Sequence, residues 1–177
     1  MAIIRQIALL GHPVLRQKAR GVEDPAGNQI QSLIEDMLVT MDDANGVGLA
    51  APQVYVPLRL IIVAPRANSR YPDAPAMEPT AMVNPELLRH SDETEKGWEG
   101  CLSIPGLRGL VPRYKRIGIR YLDRGGAPVE AELEGFPARV FQHELDHIDG
   151  IVFIDRLESS RDLIMEKEYM RMLAGDK

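Results

Sequence analysis

Residues 135 to 150 read Gly-Phe-Pro-Ala-Arg-Val-Phe-Gln-His-Glu-Leu-Asp-His-Ile-Asp-Gly. Pro137 stands where a first helical turn tolerates a residue without an N–H, and Gly150 stands where a helix can end. Between them Phe141, Leu145 and Ile148 recur at helical spacing and form one apolar stripe. The pattern predicts a helix from Gly135 to about Asp149. His143 and His147 are four apart, so on that helix both imidazoles leave one face and can reach one metal ion. Glu144 lies about 100° further round. There it can touch a metal-bound water without being a ligand. The pentad His143-Glu144-Leu145-Asp146-His147 therefore reads as a hydrolytic metal centre. The bland alternative is a solvated helix that carries histidines by accident. This composition yields such a pentad on the order of 0.01 times by chance.

Upstream of this helix, Arg116–Leu122 and Ala127–Glu134 flank Arg124-Gly125-Gly126 and predict a β-hairpin. One register pairs Ile117 with Leu133, Ile119 with Ala131 and Tyr121 with Val129. The same register sets Arg116 against Glu134 and Arg120 against Glu130, and opposite charges are favoured there. A slip of one residue would put apolar side chains opposite glutamates.

Further out, Ile30, Leu33, Ile34, Met37, Leu38 and Met41 mark an amphipathic helix, with Asn28 as its expected N-cap. Arg59–Val63 reads as a buried strand. Ala81–Leu88 reads as a strand that Pro85 confines to an edge or a bulge. A third helix is expected from Ser159 or Ser160 to about Leu173. Pro65–Pro79, with four prolines, reads as a surface insertion between two strands. Strands around one central helix, with a helix near each end, point to an α+β fold in one domain spanning residues 1–177.

Composition narrows the function classes. The chain has 177 residues, enough for one real core. Its 21 basic and 26 acidic residues give a net charge of −5, which argues against a general nucleic-acid binder, and no direct sequence-specific nucleic-acid binding is expected. No apolar run is long enough to span a membrane, and Met1–Leu10 lacks a signal-peptide core, so a cytoplasmic location is expected. Cys101 is the one cysteine, which excludes an intrachain disulfide and leaves one thiolate for a metal.

The pentad needs a third ligand. A third histidine at the metzincin spacing is absent, because Phe153 stands there. On pattern alone the downstream acids Asp155, Glu158, Asp162, Glu166 and Glu168 stay open, and so does Cys101 upstream. Cys101 lies in Trp98-Glu99-Gly100-Cys101-Leu102-Ser103, where Gly100 lets backbone approach a site closely. Gly46-Val47-Gly48-Leu49-Ala50-Ala51-Pro52-Gln53, taken by itself, reads as a tight turn after the first helix.

Together these three segments resemble the signature motifs of the peptide deformylase family. The motifs are Gly-Val-Gly-Leu-Ala-Ala-Pro-Gln, Glu-Gly-Cys-Leu-Ser and Gln-His-Glu-Leu-Asp-His, in that order. Each is moderately specific and the ordered trio is highly specific. The resemblance runs from Gly11-His12-Pro13 to Phe153-Ile154-Asp155-Arg156, and the Pro65–Pro79 segment departs from the shortest members.

The resemblance implies that Cys101, His143 and His147 hold one divalent metal, Fe²⁺ in the cell, with Zn²⁺, Ni²⁺ or Co²⁺ able to replace it. It implies a substrate too, the N-formylmethionyl nascent peptide, and a transient contact near the ribosomal exit tunnel. Metal-bound hydroxide would attack the formyl carbon and Glu144 would carry the proton. Gln53 and the backbone N–H of Leu102 would bind the oxyanion. Val47, Phe136 and Val140 are expected to line a methionine slot, and Gly48 to hydrogen-bond the peptide. Arg108 is expected to steer the substrate or to be a solvated strand residue. A zinc endopeptidase and a silent peptide-binding module are the rivals. Of the remaining residues, His12 reads as a loop histidine, His90 as exposed, Trp98 as channel border or core, and Glu99 as an ion-pair partner of Arg113.

Overall fold

The computed structural model describes residues 1–175. Helix α1 (Asn28–Asp43) is followed by an edge strand β1 (Gly48–Ala50), a 3-10 turn over Ala51–Val54, and strand β2 (Leu60–Val63). Strands β3 (Thr80–His90), β4 (Thr94–Cys101), β5 (Ile104–Tyr114), β6 (Arg116–Leu122) and β7 (Pro128–Glu134) come next. Helix α2 (Gly135–Ile148), strand β8 (Leu163–Met165) and helix α3 (Glu166–Ala174) complete the chain. The strands form two antiparallel sheets, ordered β1-β2-β3-β6-β7 and β4-β5-β8. This is the α+β class expected.

Alternation along β2 explains why its sequence is apolar throughout. Leu60 and Ile62 pack with Leu33, Ile34, Met37 and Met41 of α1. Ile61 and Val63 pack on the other face with Phe141 and Ile148 of α2. A strand buried on both faces has no position for a polar side chain. Helix α2 also meets β5 of the smaller sheet, so the helix that carries His143 and His147 lies between the two sheets. Fully burying Phe141 alone stabilises this arrangement by about 1.5–3 kcal/mol.

The hairpin has the expected register: Arg116 pairs with Glu134, Ile117 with Leu133, Ile119 with Ala131 and Arg120 with Glu130. The Arg120 ion pair forms on the other side, with Glu86 of β3 at 2.7 Å. Pro85 lies at a register shift in β3, where a missing N–H is tolerated. Asp149 ends α2, and Gly150 follows at φ 78°, the left-handed position that stops a helix.

Three expectations are corrected. Gly27, not Asn28, is the N-cap of α1, and no side chain caps it; Asn28 is the first helical residue. The third helix starts at Glu166, because Leu163–Met165 instead adds to the edge of β5 through Leu107–Gly109. Ser159 caps only a 3-10 turn, Ser160–Asp162, by accepting from the Arg161 N–H at 3.2 Å. The Gly46–Gln53 segment is more than a tight turn: Gly48–Ala50 forms a three-residue ladder with Ile61–Val63.

Candidate metal centre

Three elements converge between the sheets. Helix α2 brings His143 and His147, whose ring centroids are 5.0 Å apart. Strand β4 ends in Cys101 at a bulge after Gly100. The 3-10 turn after β1 brings Gln53. One ligand atom from each of Cys101, His143 and His147 lies within 4.8 Å of the others, and the Cys101 sulfur is 3.2 Å from His147 Nε2. A tetrahedral ion with bonds of about 2.0–2.3 Å spaces its ligand atoms in this range. Two imidazoles and a thiolate form a borderline-soft donor set suited to Zn²⁺, Fe²⁺, Ni²⁺ or Co²⁺. The alternative downstream ligands Asp155, Glu158, Asp162, Glu166 and Glu168 are not in the cluster.

A buried charge network holds these side chains. His143 Nδ1 is 2.9 Å from Glu99 Oε2, which leaves Nε2 for the cluster. Arg113 grips both Glu99 oxygens at 2.9 and 3.0 Å and reaches Asp146 at 2.6 Å. Arg139 reaches Glu99 at 2.9 Å, and Arg156 closes on Asp146 at 2.6 Å. The Glu99–Arg113 pair expected from sequence is therefore present, and it belongs to the support of His143. Breaking such a buried pair by removing one partner typically costs about 3–5 kcal/mol.

The same network sets protonation. Burial would raise the Glu99 carboxyl, but Arg113 and His143 override it and hold it well below the usual carboxylate range. Burial lowers the His143 pKa, yet hydrogen bonds to Cys101 and Glu99 raise it well above its ordinary value. That pocket favours positive charge at the ring, as a proton or as a metal ion. Burial pushes His147 well below its ordinary value, towards the neutral form a metal ligand needs.

Glu144 is 4 % exposed, and burial raises its carboxyl to about 7. Its Oε2 is buried without a partner among the described residues. It packs directly on Gly48, where an added Cβ would fall 2.5 Å from Glu144 Oε1. Gln53 Nε2 points at the centre, 3.4 Å from the Cys101 sulfur and 3.1 Å from Ser103 Oγ. Its Oε1 accepts from the Ala50 N–H at 2.9 Å, which fixes the amide's direction.

The cleft beside these groups is lined by Val47, Gly48, Gln53, Cys101, Leu102, Arg108, Phe136, Val140, His143 and Glu144. Every candidate site residue except His147 borders it, and His147 lies behind, on the Cys101 sulfur. Of the two readings for Arg108, the solvated one is corrected: the residue is 2 % exposed and bonded to Glu166 at 3.0 Å. Trp98 packs on Tyr169, ring centroids 5.7 Å apart, and does not line the cleft. His90 is exposed and stacks on Tyr114, and His12 caps a short turn by accepting from the Val14 N–H. Sequence reasoning missed Arg70 and Tyr71 as cleft residues. They lie in the proline-rich Pro65–Pro79 segment, which carries no periodic pattern.

The polypeptide deformylase family model matches residues 4–162. The chain belongs to the peptide deformylase family. Peptide deformylase 2 of Nostoc sp. is 54% identical over 167 residues, covering 94% of this chain and 93% of that protein. Peptide deformylase 1 of Bordetella pertussis is 50% identical and covers 91% of this chain and 90% of that protein. A class I type b deformylase from Acinetobacter baumannii, crystallised with Met-Ala-Ser bound, superposes at a TM-score of 0.87. It is 46% identical and covers 89% of this chain and 100% of that one. The two sheets and the central α2 are thus a deformylase fold, and the three motif segments meet at its cleft.

Proposed function

We propose that this deformylase removes the formyl group from the N-terminal formyl-methionine of nascent polypeptides, with one divalent ion held by Cys101, His143 and His147. The observation that carries the reading is the convergence of those three ligands with Glu144 and Gln53 on one cleft. Iron(II) is the ion we assign in the cell, and Zn²⁺, Ni²⁺ or Co²⁺ suit the same donors. When bound, the ion acidifies a water and polarises the formyl carbonyl.

The chain's own groups do the rest. Val47, Phe136 and Val140 give the methionine side chain an apolar wall. Gly48, which leaves room for the Glu144 carboxylate because it has no Cβ, offers its backbone to hydrogen-bond the peptide. Glu144 takes a proton from the attacking water and delivers it to the methionine nitrogen as the C–N bond breaks. Its raised pKa, about 7, suits both halves of that task. The Gln53 amide, with the Leu102 N–H, steadies the negative oxygen that forms on the former carbonyl. The products are formate and a free amino terminus. The substrate emerges from the ribosome, and a transient contact near the exit tunnel would bring the enzyme to it.

Formate release from formyl-Met-Ala-Ser by the iron-loaded protein, kept anaerobic, tests this reading. The expected products are formate and intact Met-Ala-Ser. Cleavage of an internal bond, with the formyl group retained, would instead make the chain an endopeptidase.

A further inference from the structure

The Pro65–Pro79 segment does not simply cover the surface. Tyr71 enters the cleft from it and packs on Phe136, ring centroids 4.8 Å apart. Its phenolic oxygen accepts two hydrogen bonds, from the Gly100 N–H at 3.3 Å and from Arg108 Nη1 at 3.0 Å. Arg108 is clamped in turn. Its guanidinium lies between the rings of Tyr71 and Tyr169, at 5.1 and 4.9 Å, and bonds Glu166 at 3.0 Å. Tyr169 donates to the Arg70 carbonyl at 3.2 Å, and Arg70 reaches the Asn45 carbonyl. The segment is therefore tied to the turn before β1, to β4 and to α3.

Two features give Tyr71 a task beyond packing. Strand β4 is the edge of its sheet, so its outer side is open to an added extended chain. At Gly100, next to Cys101, the Tyr71 oxygen takes the N–H that a carbonyl of such a chain would otherwise meet. Having accepted twice, the hydroxyl keeps its own proton, and among the described residues it donates to nothing.

Resting on the deformylase reading above, we propose that Tyr71 is a specificity-determining residue whose phenolic O–H donates to a main-chain carbonyl of the peptide beyond the formyl-methionine. A main-chain acceptor is common to every sequence, so Tyr71 reads the presence of a continuing chain and not its side chains. Formyl-methionine amide, which ends at its first residue, cannot make this contact.

The test compares KM and kcat for formyl-methionine amide and formyl-Met-Ala-Ser in the metal-loaded wild type, Tyr71→Phe and Glu166→Gln. One neutral hydrogen bond is worth roughly fivefold to tenfold in binding. Tyr71→Phe should therefore raise the ratio of the tripeptide KM to the amide KM about fivefold to tenfold, with the effect in KM and not in kcat. Glu166→Gln loosens Arg108 from its far side but keeps the hydroxyl, and should hold that ratio within about twofold. An unchanged ratio in Tyr71→Phe overturns the proposal. An equal rise in both variants also overturns it, because the effect then comes from packing of the segment. If the wild type releases formate from neither substrate, it is the deformylase reading that fails.

Discussion

Glu99 Oε2 lies 2.9 Å from Nδ1 of His143, and the carboxylate is itself gripped by Arg113 and Arg139. A carboxylate on the far nitrogen of a ligating histidine fixes its tautomer and strengthens its bond to a metal. Glu99→Gln keeps the shape and removes the charge. Metal affinity, measured by chelator competition with Zn²⁺, should fall about 10-fold to 100-fold. Wild-type affinity would show that Glu99 serves only the ion pair with Arg113.

Gly48 and Glu144 are in direct contact, so the absence of a side chain at position 48 is part of the site. A Cβ there would sit 2.5 Å from Glu144 Oε1 and 2.9 Å from its carboxyl carbon. Glu144 is buried and held on α2, so it has little room to retreat. Gly48→Ala should cut kcat at least about 10²-fold, the cost of misplacing a reacting group by about 1 Å, with metal content preserved. Steady-state kinetics beside metal analysis decides it; near-normal turnover would mean that the carboxylate can work from another rotamer.

Gln53 has its Oε1 committed to Ala50 and its Nε2 aimed at the Cys101 sulfur and Ser103. Removing one oxyanion donor costs about 10²–10³ in kcat. Gln53→Ala should show that loss with little change in KM and with full metal occupancy. A defect confined to KM would assign Gln53 to substrate binding.

Burial raises Glu144 from 4.5 to about 7, and this gives the metal-stripped protein a pH signature. A raised folded-state pKa means that the native state holds the proton more tightly than the unfolded chain. Its contribution to stability is complete below about 4.5 and is lost as pH rises through about 7. Metal-stripped wild type should therefore lose stability relative to Glu144→Gln as pH rises across that window, as read in paired thermal melts. A constant difference between the two proteins would contradict this.

The parts legible in the sequence were those where one physical demand dominates. Phe141, Leu145 and Ile148 fixed the α2 face, and the Arg and Glu positions of β6 and β7 agreed with their apolar partners on a single register. The third candidate ligand was not legible from spacing alone, because Cys101 is far from α2 in sequence. The motif resemblance supplied it, and the geometry brings its sulfur to 3.2 Å from His147. The bounds of strand β5 were not legible, because Pro105, Gly106, Gly109 and Pro112 break its alternation. Strand β8 is three residues paired to another edge, and Ser159 looks like the start of a longer helix. Tyr71 was hidden for a related reason: its role rests on contacts with Gly100, Arg108 and Phe136, all distant in sequence.

The proposed mechanism turns on Glu144 moving the proton at a centre held by Cys101, His143 and His147. Formate release from formyl-Met-Ala-Ser, measured for wild type and Glu144→Gln with metal quantified in the same samples, tests it most directly. One metal ion per chain is expected in both, with turnover in the variant lower by about 10²–10⁴. A metal-loaded Glu144→Gln protein that releases formate within about twofold of wild type would contradict it.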